Sequence, residues 1–368
     1  MAFKICMIGT QFIGVPADSG GAIEYLSFNI AEGISKKFEV TYFSVDPLIK
    51  TKLDSNVLIE RFPSKRTNAF FFTLFVLFKA LFKKFDVIYV SGCSMIFAGL
   101  ILSKLKGIPL IYHEFNHNPW IKPKSKLYDF LAKFSVKYSD YVIVASEFIK
   151  KKVISKMNVS ETKILKISNF ILLKEFPLNA TKKQNKVLFV GRMVKHKGID
   201  FLIKLIQENN FENWVFEFVC PKPFSSEEKS YYVKLKSLSN SKKAKVILKQ
   251  NLSRKELIQE MGVSSILVLP SSQEAFGMVL IEAMSCFTPC IAFSVGGTTE
   301  IIDDKLNGFL VEEKDYGLFE QKLRELMQDE KKRISFGLNA REKIERNFSF
   351  NKTIKEFESF FIKVVKEK

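Results

Sequence analysis

Short apolar runs rich in β-branched residues recur along the chain, separated by stretches of helical spacing. This alternation predicts a parallel sheet covered by helices on both faces. In the first half the predicted strands lie at residues 3–8, 40–44, 57–61, 87–90, 109–113, 141–145 and 163–167. Ala22, Leu26, Ile30 and Ile34 recur every four positions and predict the first helix. A polar run at residues 179–186 (NATKKQNK) reads as an interdomain linker. The alternation then restarts at residues 187–190 and continues at 215–219, 245–248, 265–269, 290–293 and 309–311. Three helical stretches follow, the last over residues 350–366. The expected class is α/β with two doubly wound halves, because 368 residues exceed what one core usually fills.

One helical stretch departs from the amphipathic pattern. Residues 68–85 (NAFFFTLFVLFKALFKKF) are apolar nearly all round and end in Lys79, Lys83 and Lys84. Their apolar core, residues 69–78, falls short of the roughly 20 residues that span a bilayer. The segment therefore reads either as a helix buried on most sides or as one inserted at a membrane interface.

Composition changes the picture in two ways. The net charge is +18, and residues 1–175 hold 25 Lys and Arg against 14 Asp and Glu, the remainder 32 against 25. The larger excess in the first half points to an anionic membrane surface as partner. The alternative is compositional, since Lys, Phe, Ile and Asn are all abundant, as an AT-rich genome would make them. Cys6, Cys93, Cys220, Cys286 and Cys290 are odd in number and lack paired metal spacing, so they read as buried thiols of a reducing compartment. Residues 1–4 run straight into a strand without the look of a signal peptide, and no aromatic-basic nucleic-acid motif occurs.

Candidate chemistry collects at predicted strand ends. Glu274 opens a stretch in which Phe276, Val279, Leu280 and Ala283 have helical spacing, and Glu282 lies eight residues on. On one continuous helix such positions are about 12 Å apart, suited to gripping two ends of an extended ligand. Either glutamate alone reads rather as a surface residue. Gly296 and Gly297 precede Thr298, Thr299 and Glu300, where flexible backbone at a helix start can approach a ligand. Gly20 and Gly21 stand in the same relation to the first strand and helix, though turns use glycine constantly. Arg192 and Lys197, set between Gly191 and Gly198, form either a diphosphate clamp or a solvated basic loop. His113 ends a predicted strand at the edge where open α/β sheets bind ligands, and is either a site residue or a structural one. His117 occupies the same loop.

Taken in order, the Gly191-Arg192 and Lys197-Gly198 turn, Glu274-x7-Glu282 and the glycine pair before Glu300 resemble the donor site of family 4 retaining glycosyltransferases, and the resemblance covers nearly the whole chain. It implies the GT-B fold, two doubly wound Rossmann-like domains facing across a cleft. The acceptor-side domain would span residues 1–175, the nucleotide-sugar domain 176–349, and a helix crossing back 350–368. By the same resemblance Arg192 and Lys197 neutralise the donor diphosphate, Glu274 holds the transferred sugar and Glu282 accepts from the ribose hydroxyls. His113 becomes the active-site histidine. Gly20 and Gly21, with the backbone around Phe276, Gly277, Met278 and Val279, complete the donor contacts.

The implied reaction moves a hexose or N-acetylhexosamine from a UDP- or GDP-linked donor to a glycan or lipid-linked acceptor, in surface polysaccharide, glycolipid or glycoprotein glycan assembly. No cofactor is expected, and no metal, since the chain lacks an Asp-x-Asp motif. The implied place is the cytoplasm, peripheral on the cytoplasmic membrane face. A nucleotide-sugar epimerase of the same fold and a catalytically silent membrane binder are the alternatives. Departures from the family pattern are Phe287 for a usual glycine, Ser294 for a common aspartate, Ala275 for a frequent glycine, Cys220-Pro221-Lys222-Pro223 where glycines usually hold the base, and Asn169-Phe170 for Asn-Gly. They bear on the shape of the donor pocket and the identity of the base.

Overall fold

A computed structural model describes residues 3–16, 21–46, 56–65, 67–115, 126–178, 180, 182–238 and 243–367. Gly20 and His117 lie outside the described residues. The chain divides into two units, Met1–Asn169 with Asn351–Lys368, and Phe170–Phe350.

The first unit runs β1 (Lys4–Ile8), α1 (Ala22–Ile34), β2 (Glu39–Val45), β3 (Leu58–Phe62), α2 (Ala69–Leu81), β4 (Val87–Ser91), α3 (Ile96–Lys106), β5 (Leu110–Glu114), α4 (Lys126–Lys137), β6 (Tyr141–Val144), α5 (Glu147–Met157) and β7 (Ile164–Lys166). Its strands are all parallel, in the order β3-β2-β1-β4-β5-β6-β7. Parallel strands are buried on both faces, which is why β4 and β5 are buried throughout and read as near-continuous apolar runs.

The second unit runs β8 (Gln184–Val190), α6 (Ile199–Glu208), β9 (Val215–Cys220), α7 (Ser226–Leu238), β10 (Lys245–Gln250), α8 (Arg254–Val263), β11 (Ser264–Leu269), α9 (Met278–Ser285), β12 (Cys290–Phe293), α10 (Thr298–Ile301), β13 (Gly308–Val311), α11 (Tyr316–Gln328) and α12 (Glu330–Asn347). The order β10-β9-β8-β11-β12-β13 repeats the plan of the first sheet. In each sheet the order reverses once, between β1 and β4 and between β8 and β11. Crevices for ligands open at such points, beyond the carboxyl ends of the strands.

The last helix, α13 (Phe350–Lys366), completes the core of the first unit. Its Phe357 and Phe361 are buried and pack against Tyr89, and Phe361 also meets Phe38. Glu358 accepts from Lys37 at 2.7 Å. The chain joins the second unit at Phe170, whose ring meets Phe350 at 5.2 Å, while Ile171 bridges to Ser349.

Three expectations are corrected. β8 begins at Gln184, inside the polar run read as linker, because Lys186 is buried against long-range partners: Glu217 at 3.1 Å and Glu260 at 2.6 Å. Lys249 pairs with the same two carboxylates, at 3.2 and 2.5 Å. α2 is not buried on most sides: only Phe72, Val76 and Ala80 form a buried stripe, and the opposite face is open. Of the cysteines, Cys93 is half-buried; the other four are buried. No described helix is long and apolar enough to cross a membrane.

Candidate active site

At the reversal point of the second sheet, the loops after β8, β11 and β12 press against one another. Ser272 donates its amide to the His196 carbonyl at 2.8 Å, joining the first two loops. Gly198 sits in the left-handed region (φ 76°), and a Cβ there would fall 2.1 Å from the Pro270 carbonyl oxygen. Gly297, after β12, comes as close to the second loop: its added Cβ would lie 2.6 Å from the Cα of Phe276. Two glycines therefore let three loops converge to a density that any side chain would break.

Convergence brings two of the expected residues together. Lys197 Nζ donates to Glu274 Oε2 at 2.6 Å, with both side chains largely shielded from solvent. Glu274 lies in the loop before the helix, not on it, because α9 starts only at Met278, after Gly277 turns into the left-handed region (φ 108°). The 12 Å spacing that a continuous helix would give therefore does not apply. Phe276 is buried, its ring 5.8 Å from that of Phe348, and this anchors the loop just ahead of α9. Met278 and Val279 form the first turn of α9, where helix amides lack intrahelical partners and the dipole is positive.

Arg192 is held separately. Its Nε donates to Glu228 Oε1 at 2.9 Å, and its guanidinium lies 5.1 Å from the Phe224 ring centroid. Burial alone would raise the Glu228 carboxyl, but the Ser225 and Phe224 amides and Arg192 hold it below its usual value. With Nε engaged, the two terminal nitrogens of the half-exposed guanidinium remain to fork onto an anion.

Glu282, on α9, is engaged by Arg254, whose Nη1 donates to Oε1 at 2.9 Å. Arg254 in turn meets Glu175 through Nε at 2.5 Å and lies 5.7 Å from the Phe176 ring. Burial pushes the Glu282 carboxyl up, opposed by the Arg254 charge. Sequence reasoning missed both Glu228 and Arg254. The local signals are two Ser-x-x-Glu capping patterns, Ser225 with Glu228 at the start of α7 and Ser253 with Glu256 at the start of α8, which fix the places of Glu228 and Arg254.

His113 ends β5 in the first unit and is 2% exposed. Its Nδ1 is hydrogen-bonded to Tyr89 Oη at 2.5 Å, and its ring stacks on Phe115 at 3.8 Å. Among the described residues Nε2 has no hydrogen-bond partner. Burial pushes the imidazole down to about 3, so it is neutral at physiological pH. Below its usual range near 6.5 the unfolded chain takes up a proton that the folded chain refuses, so stability should fall as pH drops from about 6.5 towards about 3. Denaturation midpoints across that window should fall more steeply for the wild type than for His113→Gln. Equal slopes would mean that the histidine is not the group being charged.

Gly21 caps α1 in the left-handed region (φ 71°), with the Glu24 carboxylate 2.7 Å from where its Cβ would be. Glu24 is buried and accepts from Thr10. Burial pushes its carboxyl up, with Thr10 opposing. Among the departures noted in the sequence, Phe287 adopts φ 57° just past the end of α9, a conformation that glycine takes without strain.

Residues 172–343 match the family model for glycosyl transferases group 1, and residues 21–175 the model for glycosyltransferase family 4. A glycosyltransferase of Methanocaldococcus jannaschii is 30% identical over 267 residues, covering 72% of this chain and 70% of that one. The Escherichia coli UDP-Gal:alpha-D-GlcNAc-diphosphoundecaprenol alpha-1,3-galactosyltransferase is 25% identical over 317 residues, 80% of each chain. In structure, sucrose-phosphate synthase from Thermosynechococcus elongatus superposes over 100% of both chains with a TM-score of 0.83 at 20% identity. The Anabaena protein HepE in complex with UDP-glucose superposes over 98% of this chain and 99% of that one, with a TM-score of 0.78 at 19% identity. With family models matching both halves and the whole chain following the GT-B fold, the protein belongs to the group 1, family 4 glycosyltransferases.

Proposed function

We propose that the protein transfers a hexose or N-acetylhexosamine from a UDP- or GDP-linked donor to a glycan or lipid-linked acceptor, with retention of anomeric configuration and without a metal ion. The observation that carries this reading is the Lys197–Glu274 pair at the reversal point of the second sheet. In the donor-free state each satisfies the other. A sugar diphosphate offers both a better partner: phosphate oxygens for Lys197 and sugar hydroxyls for Glu274. The terminal nitrogens of Arg192 take the remaining diphosphate charge, and the first amides of α9 face the phosphate that leaves. Leaving-group charge is thus met by two cations and a helix start, the task a divalent ion performs elsewhere.

Glu282 receives the ribose hydroxyls while Arg254 fixes its orientation. In the first unit, His113, uncharged, keeps Nε2 as a hydrogen-bonding atom. The HepE complex with UDP-glucose and the undecaprenol-linked acceptor named for the E. coli relative support the substrate classes.

The test is a thermal-stabilisation screen against UDP- and GDP-sugars, followed by transfer assays with the sugar that binds. Glu282→Ala should weaken binding of that donor by ~1.5–3 kcal/mol, the worth of charge-assisted hydrogen bonds. Transfer should persist in chelator and give a product with the anomeric configuration of the donor. Release of free sugar in place of a glycoside would point to the epimerase instead, and a rate abolished by chelator and restored by magnesium or manganese would end the metal-free assignment.

A further inference from the structure

Three neighbouring helices of the first unit carry most of its exposed large apolar side chains. α2 packs against α3, and α3 against α4. Right-handed crossovers put all three on one face of the sheet. Phe70, Phe71, Leu74, Phe78, Leu81 and Phe82 are exposed along α2 and its cap, Phe78 at 69% and Phe82 at 81%. α3 adds Phe97 and Leu105; α4 adds Phe130 and Phe134, with Tyr138 just beyond its end. Neighbouring rings touch along the helices, Phe78 with Phe82 at 6.3 Å and Phe134 with Tyr138 at 4.5 Å. A contiguous apolar surface of this kind marks an interaction site.

Charge identifies the occupant. Between residues 68 and 106 the only acidic residue is Asp86, whose carboxylate is turned to the Lys4 backbone amide at 2.7 Å; α4 adds one, Asp129, and Glu60 lies 3.9 Å from Lys79. Lys79, Lys84, Lys104 and Lys137 are exposed on or beside the same helices. A second copy meeting this face across a two-fold axis would set lysines against lysines. An anionic bilayer matches both features, because aromatic rings settle at the headgroup boundary and lysines meet its negative potential.

We propose that the α2–α3–α4 face docks the protein on an anionic phospholipid membrane, with the phenylalanines of α2 inserted and the lysines on the headgroups. This assignment is independent of the donor chemistry, so the test uses vesicles containing neither donor nor acceptor. The full chain should float with phosphatidylglycerol vesicles at low salt but not with phosphatidylcholine vesicles. Release is expected at 1 M salt, where the Debye length is about 3 Å.

Phe78→Ser combined with Phe82→Ser should cut partitioning on the order of tenfold with an unchanged Tm, since interfacial binding scales with apolar area inserted. Leu178→Ser, at a site 83% exposed in the second unit, should change nothing. If the double variant does not fold, Phe130→Ser on α4 must show the loss. Protein left at the bottom with phosphatidylglycerol overturns the proposal, as does full binding by the folded variants. A dimer that these substitutions dissociate, with no vesicle binding, would assign the face to self-association instead.

Discussion

Replacing Gly198 with alanine should destabilise the second unit by about 3 kcal/mol and abolish donor binding. Two costs combine. A non-glycine residue in the left-handed region costs ~1–2 kcal/mol, and forcing a methyl group into a packed site costs ~1–3 kcal/mol. The obstruction is the Pro270 backbone carbonyl, 2.1 Å from the new Cβ, and backbone cannot swing aside as a flexible side chain would. One of the two loops must therefore move, which separates Lys197 from Glu274. Gly107 supplies the control: it has φ 61° but nothing within 4 Å of its Cβ position, so Gly107→Ala carries the conformational cost alone. Unfolding midpoints and donor-induced thermal shifts should distinguish the two variants. Equal losses would mean that the loops after β8 and β11 are not tightly joined.

Lys197→Ala should lower turnover by roughly a hundredfold, by analogy with removal of one oxyanion donor. The loss should exceed the loss of donor affinity, because in the proposed donor placement the phosphate charge facing Lys197 grows as the glycosidic bond breaks. Removing the lysine also strips Glu274 of its 2.6 Å partner, leaving a shielded carboxylate beside the incoming diphosphate. Lys197→Ala with Glu274→Gln should therefore recover part of the donor affinity lost in the single variant while remaining slow. Arg192→Ala should behave like the lysine variant, and Glu228→Gln, which loosens the arginine without removing it, should fall between Arg192→Ala and the wild type. A Lys197→Ala enzyme with wild-type turnover at saturating donor would sink the clamp.

Most strands were legible because parallel strands buried on both faces must be written in apolar residues, as β4, β5 and β11 are. The start of β8 was not, since Lys186 lies in the core only by virtue of Glu217 and Glu260, partners that local pattern cannot reveal. The stretch from Glu274 to Glu282 has helical spacing throughout, but the backbone of Gly277 interrupts it and leaves Glu274 in a loop. Arg192, Lys197 and Glu274 were legible as residue types at strand ends. What each rests on was not: capping patterns mark where α7 and α8 start, but not that Glu228 meets Arg192 or that Arg254 meets Glu282. For His113 the position at the end of β5 was readable, whereas its neutrality depends on Tyr89, Phe115 and Phe357 gathered from three separate segments.

The membership of α13 in the first unit has a consequence for biosynthesis. Phe357, Phe361 and Val364 fill the core beside Tyr89 and Phe38, yet a ribosome makes them after every strand of both sheets. The first unit thus emerges with part of its interior missing, its Tyr89 and His113 rings uncovered until α13 follows the second unit. The second unit has all of its strands and helices by Phe350, so it is the one equipped to finish first. Vectorial folding from the N-terminus is the usual order for multidomain chains, but here the core of the first unit can close only after every strand of the second has been made.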